Sequence, residues 1–265
     1  GQPWFTVKSL AYFAIWMTIT FVLIRWSKQE DDTGDATLIN RRANFAAPMI
    51  VLFVLSMTFA ITDWVMSLEV YWFSTMLGFM FTAGSALTAF AFLTFYLTRV
   101  YRRLPFTERI YDKQWRDLGN WMFTLTCFWS YVTFSQFLIT WAANLPEEAP
   151  YFIKRSVGPW LPVGTGLVFL AFMLPFLLLL SSRLKRTPSM LGAVAVWIIV
   201  LRMVDMVWTV LPSLQRAGGQ IQWTDFAALL AFGGLWVGFW ALRMQNIRVL
   251  PRYSSVSQEV HENVA

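Results

Sequence analysis

The sequence predicts an all-α integral membrane protein with seven transmembrane helices, its N-terminus outside and its C-terminus in the cytoplasm. Three observations carry this. Seven apolar stretches, at 4–26, 45–67, 73–98, 118–141, 159–181, 190–212 and 224–243, each approach or exceed the ~20 residues that cross a bilayer core as a helix. Of the 265 residues, 57% are hydrophobic and only 14% are charged, which excludes an ordinary soluble domain. Lys and Arg in the loops fall on alternating sides in a ratio of sixteen to four, a strong positive-inside pattern. The runs are continuous rather than alternating, so helices are favoured over a barrel.

Each element has its own justification. The N-terminal Gly1-Gln2-Pro3-Trp4-Phe5 has neither an initiator Met nor a signal-peptide pattern, so the sequence reads as processed or truncated. Span 4–26 is followed by Arg25, Lys28, Arg41 and Arg42 and by the acidic stretch 30–35, expected to be a poorly ordered loop. Span 45–67 ends at Asp63 and Trp64, with Glu69 in a short outer loop. Span 73–98 repeats small residues at Gly78, Thr82 and Ala86, a spacing that lets helices approach closely. The strongly basic segment after it carries Arg99, Arg102, Arg103, Arg109, Lys113 and Arg116. Pro175 is expected to kink span 159–181, which leads into Arg183, Lys185 and Arg186. Span 190–212 holds Arg202 and Asp205 near its centre. Span 224–243 carries the pair Gly234 and Gly238, a GxxxG packing signal. Residues 244–265 form a cytoplasmic tail, whose polar part from Leu250 to Ala265 is expected to pack against a partner or another ordered chain.

The chain brings few groups able to do chemistry. One cysteine, Cys127, and one histidine, His261, allow no internal disulfide, no cysteine-ligated cluster and no bis-histidine haem. No cofactor is expected on this chain alone. The net charge of +6 reads as loop charge, and no nucleic-acid motif accompanies it. Candidate proton-relay residues are Asp63, Glu69, Arg202 and Asp205. Carboxylates in the outer half of a span suit proton release, and Arg202 and Asp205 share a helix face at i, i+3. Burying a central Arg costs roughly 2.5–3.5 kcal/mol on insertion scales, so a partner is required. Gln136, Ser135 and Tyr131 are candidates for hydrogen-bonding a quinol or quinone. The plainer readings are a structural ion pair for Arg202 and Asp205, and a helix-end anchor for Asp63.

Four segments carry a family resemblance. They are Asp63-Trp64-Val65-Met66-Ser67-Leu68-Glu69 with Trp72-Phe73-Ser74-Thr75; Phe134-Ser135-Gln136-Phe137-Leu138-Ile139 with Trp141 and Asn144-Leu145-Pro146-Glu147-Glu148; Leu174-Pro175-Phe176-Leu177-Leu178-Leu179-Leu180-Ser181 with Leu184-Lys185-Arg186; and Arg202-Met203-Val204-Asp205 with Trp208. Together they resemble the ActF-type membrane subunit of bacterial alternative complex III, related to polysulfide-reductase-type membrane subunits. The similarity runs from about Trp4 to Pro212. It implies a bacterial inner-membrane location and a quinol-oxidising electron-transfer complex. The implied partners are an ActC-like membrane subunit, an iron–sulfur subunit and multihaem cytochrome c subunits, which hold the clusters and haem c. ActC is the better-supported quinol site of such complexes. Family members usually have about ten spans of bilayer length, and this chain has seven by the count above. Phe5 to Trp16 resembles the family's fourth span, so its first three have no counterpart here.

The resulting expectation is a cofactor-free membrane subunit of a quinol:electron-acceptor oxidoreductase, supporting assembly, with proton conduction or quinol binding as further roles. Two alternatives stand beside it. One is a purely structural scaffold in that complex. The other is a stand-alone proton or solute transporter, for which a central charge pair is the lone signal.

Overall fold

The computed structural model describes residues 2–69, 71–101, 112–214 and 222–244. Seven helices among them are long and apolar enough to cross a membrane: Pro3–Thr33, Thr37–Leu68, Leu77–Val100, Asp112–Ala143, Trp160–Leu180, Pro188–Leu214 and Trp223–Met244. The chain is an all-α, multi-pass membrane protein, and no strand occurs among the described residues. In chain order the helices are α1 (Gln2–Thr33), α2 (Thr37–Trp64), α3 (Leu77–Val100), α4 (Asp112–Ala143), α5 (Ala149–Arg155), α6 (Trp160–Gly166), α7 (Leu174–Leu180), α8 (Ser182–Arg186), α9 (Pro188–Val210) and α10 (Trp223–Met244). The expected tail beyond Met244 lies outside the described residues, as do Arg102, Arg103, Arg109 and Arg216.

One sequence expectation fails early. The acidic stretch 30–35 is largely helix: α1 continues through Thr33, and only residues 34–36 turn the chain into α2. Gly34 takes a left-handed φ of 71°, which lets the turn close within three residues. Asp35 accepts hydrogen bonds from the Thr37 amide (2.9 Å) and hydroxyl (2.7 Å), capping the start of α2. Those bonds hold the Asp35 carboxyl below its usual range. Glu30 is buried and paired with Arg42, so charge pairing orders what composition alone marks as loop.

Two compact units divide the chain. The larger comprises Gly1–Ser9 and Val54–Arg216, the smaller Leu10–Phe53 and Ala217–Ala265. Within the larger unit, α3 packs against both α4 and α9. The buried stripe of α4 runs Trp115, Gly119, Met122, Thr126, Trp129, Val132, Gln136 and Thr140, a helical spacing of three and four. Hydroxyls along the spans are satisfied inside their own helices. Thr82 donates to the Gly78 carbonyl, Thr94 to Phe90 and Thr126 to Met122, at 2.7–2.8 Å. Such back-bonding removes the cost of an unpaired hydroxyl in hydrocarbon. Gly78 serves the close approach its spacing implies, since a Cβ there would strike the backbone of Thr58.

Ahead of its proline, span 159–181 changes its winding. Leu167–Met173 winds as a π-helix, in which the Leu174 amide reaches back five residues to the Phe169 carbonyl. The next amide in that register belongs to Pro175, which has none, so the Leu170 carbonyl loses its helical donor. The Trp197 indole on α9 donates to that carbonyl at 2.8 Å.

The smaller unit is ringed by apolar side chains. Trp26 packs edge-on against Phe45 at 5.3 Å, with the Arg41 guanidinium over its ring at 4.6 Å. No residue of α10 is buried, and no atom among the described residues lies near a Cβ placed on Gly234 or Gly238. The expected packing role of that glycine pair is therefore not met within the described chain.

Candidate functional site

Buried charge in the larger unit collects where the end of α2, the short helix α5 and the last turns of α9 meet. The 3-10 turn Met66–Leu68 ends α2 and carries Glu69, whose side chain is only 9% exposed. Lys154 on α5 donates to Glu69 Oε2 at 2.7 Å. Arg155, the last residue of α5, is 2% exposed. Its guanidinium donates to the Tyr151 carbonyl (2.7 Å), the Thr209 carbonyl (2.6 Å) and the Ser213 hydroxyl (2.7 Å). Glu69 Oε1 stands 3.8 Å from it. The physical reason lies in α9: its last carbonyls have no intrahelical donors, and a buried helix end needs a cap. Arg155 supplies that cap from another element.

Aromatic rings wall this cluster. The Arg155 guanidinium lies 3.6 Å from the centre of the Tyr151 ring, which stacks on Trp72 at 3.8 Å and 8°. Burial pushes the Tyr151 phenol up to about 12, Asp205 and Glu69 adding to the rise and Arg155 opposing it. Burial also lowers the Arg155 guanidinium from its ordinary value, against the pull of Tyr151 and Glu69. Glu69, Trp72, Tyr151 and Lys154 line a partly open cavity of about 250 Å³, together with Pro146 and Pro150. That volume admits several waters at about 30 Å³ each, beside the Glu69–Lys154 pair.

A second cluster sits deeper. Arg202 pairs with Asp205 on the same face of α9, and both are buried. The guanidinium lies 4.8 Å over the Trp129 ring of α4 and against Gly84 of α3, where a Cβ would overlap it. The Arg155 guanidinium lies 5.9 Å from the ring of Trp208, one turn beyond Asp205 on α9, so the two clusters adjoin. A third polar contact joins the segment before α3 to α4: the buried Ser74 hydroxyl donates to Gln136 Oε1 at 2.6 Å, and Gln136 Nε2 donates to the Thr140 hydroxyl at 3.2 Å.

The sequence candidates therefore separate. Glu69, Arg202 and Asp205 belong to adjoining buried clusters. Asp63 pairs instead with Lys8 near the start of α1, where Trp64 also donates to the Ser9 hydroxyl at 3.0 Å. Gln136 is engaged with Ser74 and Thr140. Ser135 is half-buried, and Tyr131 is 66% exposed on another face of α4, so the expected trio of quinol-binding groups does not assemble around Gln136. The reason is helical phase: five residues rotate a side chain about 140° from Gln136.

Arg155, Lys154, Tyr151 and Trp72 were not singled out as site residues by sequence reasoning. Lys154 and Arg155 read as loop charges, because Arg155's acceptors lie 54 and 58 residues further on. Among the described residues, no group of three or more His, Cys, Asp and Glu is arranged to hold a metal ion. No family model matches the sequence, and no curated protein matches it either.

Proposed function

We propose that the chain is a multi-pass subunit of a quinol-oxidising electron-transfer complex of the alternative complex III type, in a bacterial inner membrane. In this reading it binds no cofactor of its own. Haem c and iron–sulfur clusters reside in partner subunits, and an ActC-like membrane subunit stands beside it. Its N-terminus and the 142–158 segment face outward, as the loop charges imply. Its role is to hold the complex together and to conduct protons near its outward face.

One observation supports this reading above others. Three of the four segments that carry the resemblance contribute side chains to the polar clusters inside the larger unit. Glu69, Trp72 and Ser74 come from the first, Gln136 from the second, and Arg202, Asp205 and Trp208 from the fourth. The first two are joined directly by the Ser74–Gln136 hydrogen bond. A water-sized cavity lined by Glu69 and Lys154 lies beside them, and in this reading it is the protons' route. The scaffold reading differs only in denying that route a role.

The test is purification of the tagged chain from its native membrane. The expected result is co-elution with polypeptides showing a c-type haem absorption band and quinol-dependent reduction of an electron acceptor. A chain that elutes alone, or with no haem protein, sinks the proposal. Within a haem-replete complex, Glu69→Gln then separates proton conduction from scaffolding. An altered pH profile of quinol turnover supports conduction, and an unchanged profile leaves the scaffold.

A further inference from the structure

At the other end of α4 a second set of charges has a different character. Arg116 is followed three and four residues on by Gly119 and Asn120, and Phe123 follows these at four and three, so the set shares one side of that helix. Lys185 of α8 lies across this face. Its stem crosses Gly119 so closely that a Cβ there would overlap it. Its ammonium donates to Asn120 Oδ1 at 2.7 Å and stands 5.5 Å from the Phe123 ring. Lys185 is only 9% exposed, yet its hydrogen-bond partner is a neutral amide. Burial lowers its pKa from the ordinary value, and the neighbouring Arg116 lowers it further. Among the described residues, no carboxylate lies within ion-pair distance of Arg116, Arg183, Lys185 or Arg186.

Two adjacent cations held together without a carboxylate repel each other, and an anion between them reverses that sign. The position states which anion fits. α8 connects two spans, Trp160–Leu180 and Pro188–Leu214, so the cations stand at the membrane boundary. From Phe123 an aromatic file leads into the span: Phe123 stacks on Phe176 at 5.4 Å, and Phe176 meets Phe172 at 5.4 Å. Leu177 and Leu180 beside it are more than half exposed. A charged end joined to an apolar path is the shape of a phospholipid, with phosphate at the cations and an acyl chain along the rings.

We propose that Arg116, Lys185 and Asn120 form a binding site for the phosphate headgroup of an anionic phospholipid, whose acyl chain lies along Phe123, Phe176 and Phe172. Arg116 and Lys185 bear the charge, Asn120 fixes the ammonium, and Gly119 lets the lysine stem lie flat. The same chemistry would accept free phosphate, and the experiment distinguishes the two.

The full chain is reconstituted in nanodiscs of phosphatidylcholine alone, or of phosphatidylcholine with phosphatidylglycerol. Retained lipid is counted by native mass spectrometry, and thermal unfolding is followed by tryptophan fluorescence. The expected result is a retained phosphatidylglycerol and a higher midpoint in its presence. Arg116→Gln should weaken retention about fivefold, the effect of losing one phosphate-facing cation. Arg116→Lys should restore most of it, and Arg183→Gln, at an exposed position, should change it little. Should Lys185→Met fail to fold, the Arg116 pair still decides. Equal retention by wild type and Arg116→Gln overturns the site. Inorganic phosphate giving the same rise in lipid-free detergent overturns the lipid as its occupant.

Discussion

Arg155 and Arg202 are both buried in the larger unit, and both sit over an aromatic ring, yet they are neutralised in different ways. Arg202 has its carboxylate on its own helix, one turn away. Arg155 is held chiefly by neutral oxygens: two carbonyls and a hydroxyl, with Glu69 at 3.8 Å. The first arrangement solves a charge problem inside a span. The second solves a backbone problem, capping the end of α9 with a guanidinium whose fork matches several acceptors. The difference predicts which variants can compensate one another.

The largest effect is expected at Arg155. Arg155→Met leaves the Thr209 carbonyl buried without its donor and takes the second cation away from Glu69, which keeps only Lys154, at a cost of about 3–5 kcal/mol. Lysine should rescue little, because an ammonium cannot reproduce the planar fork. Adding Glu69→Gln should also recover little, since most of Arg155's partners are not charged. Thermal or chemical unfolding in nanodiscs measures all three. Recovery by the Glu69 change would show that Arg155 is an ion-pair partner after all.

Asp205→Asn should cost about 3 kcal/mol or slightly more, by stranding the Arg202 charge in a low-dielectric site. Here the double change with Arg202→Gln should recover a large part. A fully additive double mutant breaks the contrast with Arg155. Gly84→Ala offers an independent probe, because its methyl would overlap the Arg202 guanidinium. It should cost about 1–3 kcal/mol in the wild type and less once Arg202 is shortened.

These two arginines also show what a sequence can disclose. Arg202 and Asp205 are legible because an apolar helix makes any charge conspicuous, and because i, i+3 spacing is local. The seven spans are legible for the same reason: hydropathy and helical period are read within a window. Arg155 is not legible. Its neighbours Lys154 and Ser156 are polar, so nothing local separates a capping arginine from a solvated one. The acidic stretch 30–35 fails in the same way, since the pairing of Glu30 with Arg42 requires the turn at Gly34 to be known first. Gln136 was visible as a polar group in a span, whereas its partner Ser74, 62 residues earlier, was not visible as such.

A smaller effect distinguishes the rings. With its pKa at about 12 against about 10 when unfolded, Tyr151 binds its proton more tightly in the folded chain. Its contribution is therefore fully present below pH 10 and is lost as pH rises through about 12. The full window amounts to at most about 2–3 kcal/mol. Tyr151→Phe should remove this dependence while keeping the stack on Trp72. The unfolding free energy of the wild type should fall relative to that of the variant as pH rises through that interval. Parallel curves would mean that the phenol is not held in its neutral form.

The smallest expected change is at Asp63. Its pair with Lys8 leaves the two side chains 19% and 32% exposed, so solvent screens the attraction. Partly exposed pairs of this kind contribute under about 1 kcal/mol. Asp63→Asn should thus cost little stability, with a cost that shrinks further at high salt. That mildness makes it a clean probe of function, because the fold survives the change. Glu69, buried beside a cavity and shared between Lys154 and Arg155, is the better placed carboxylate. In an assembled complex with normal haem content, Asp63→Asn is expected to keep the quinol turnover and pH profile of the wild type, and Glu69→Gln to shift them. The reverse outcome would return the relay to Asp63 and leave the Glu69 cluster a structural cap.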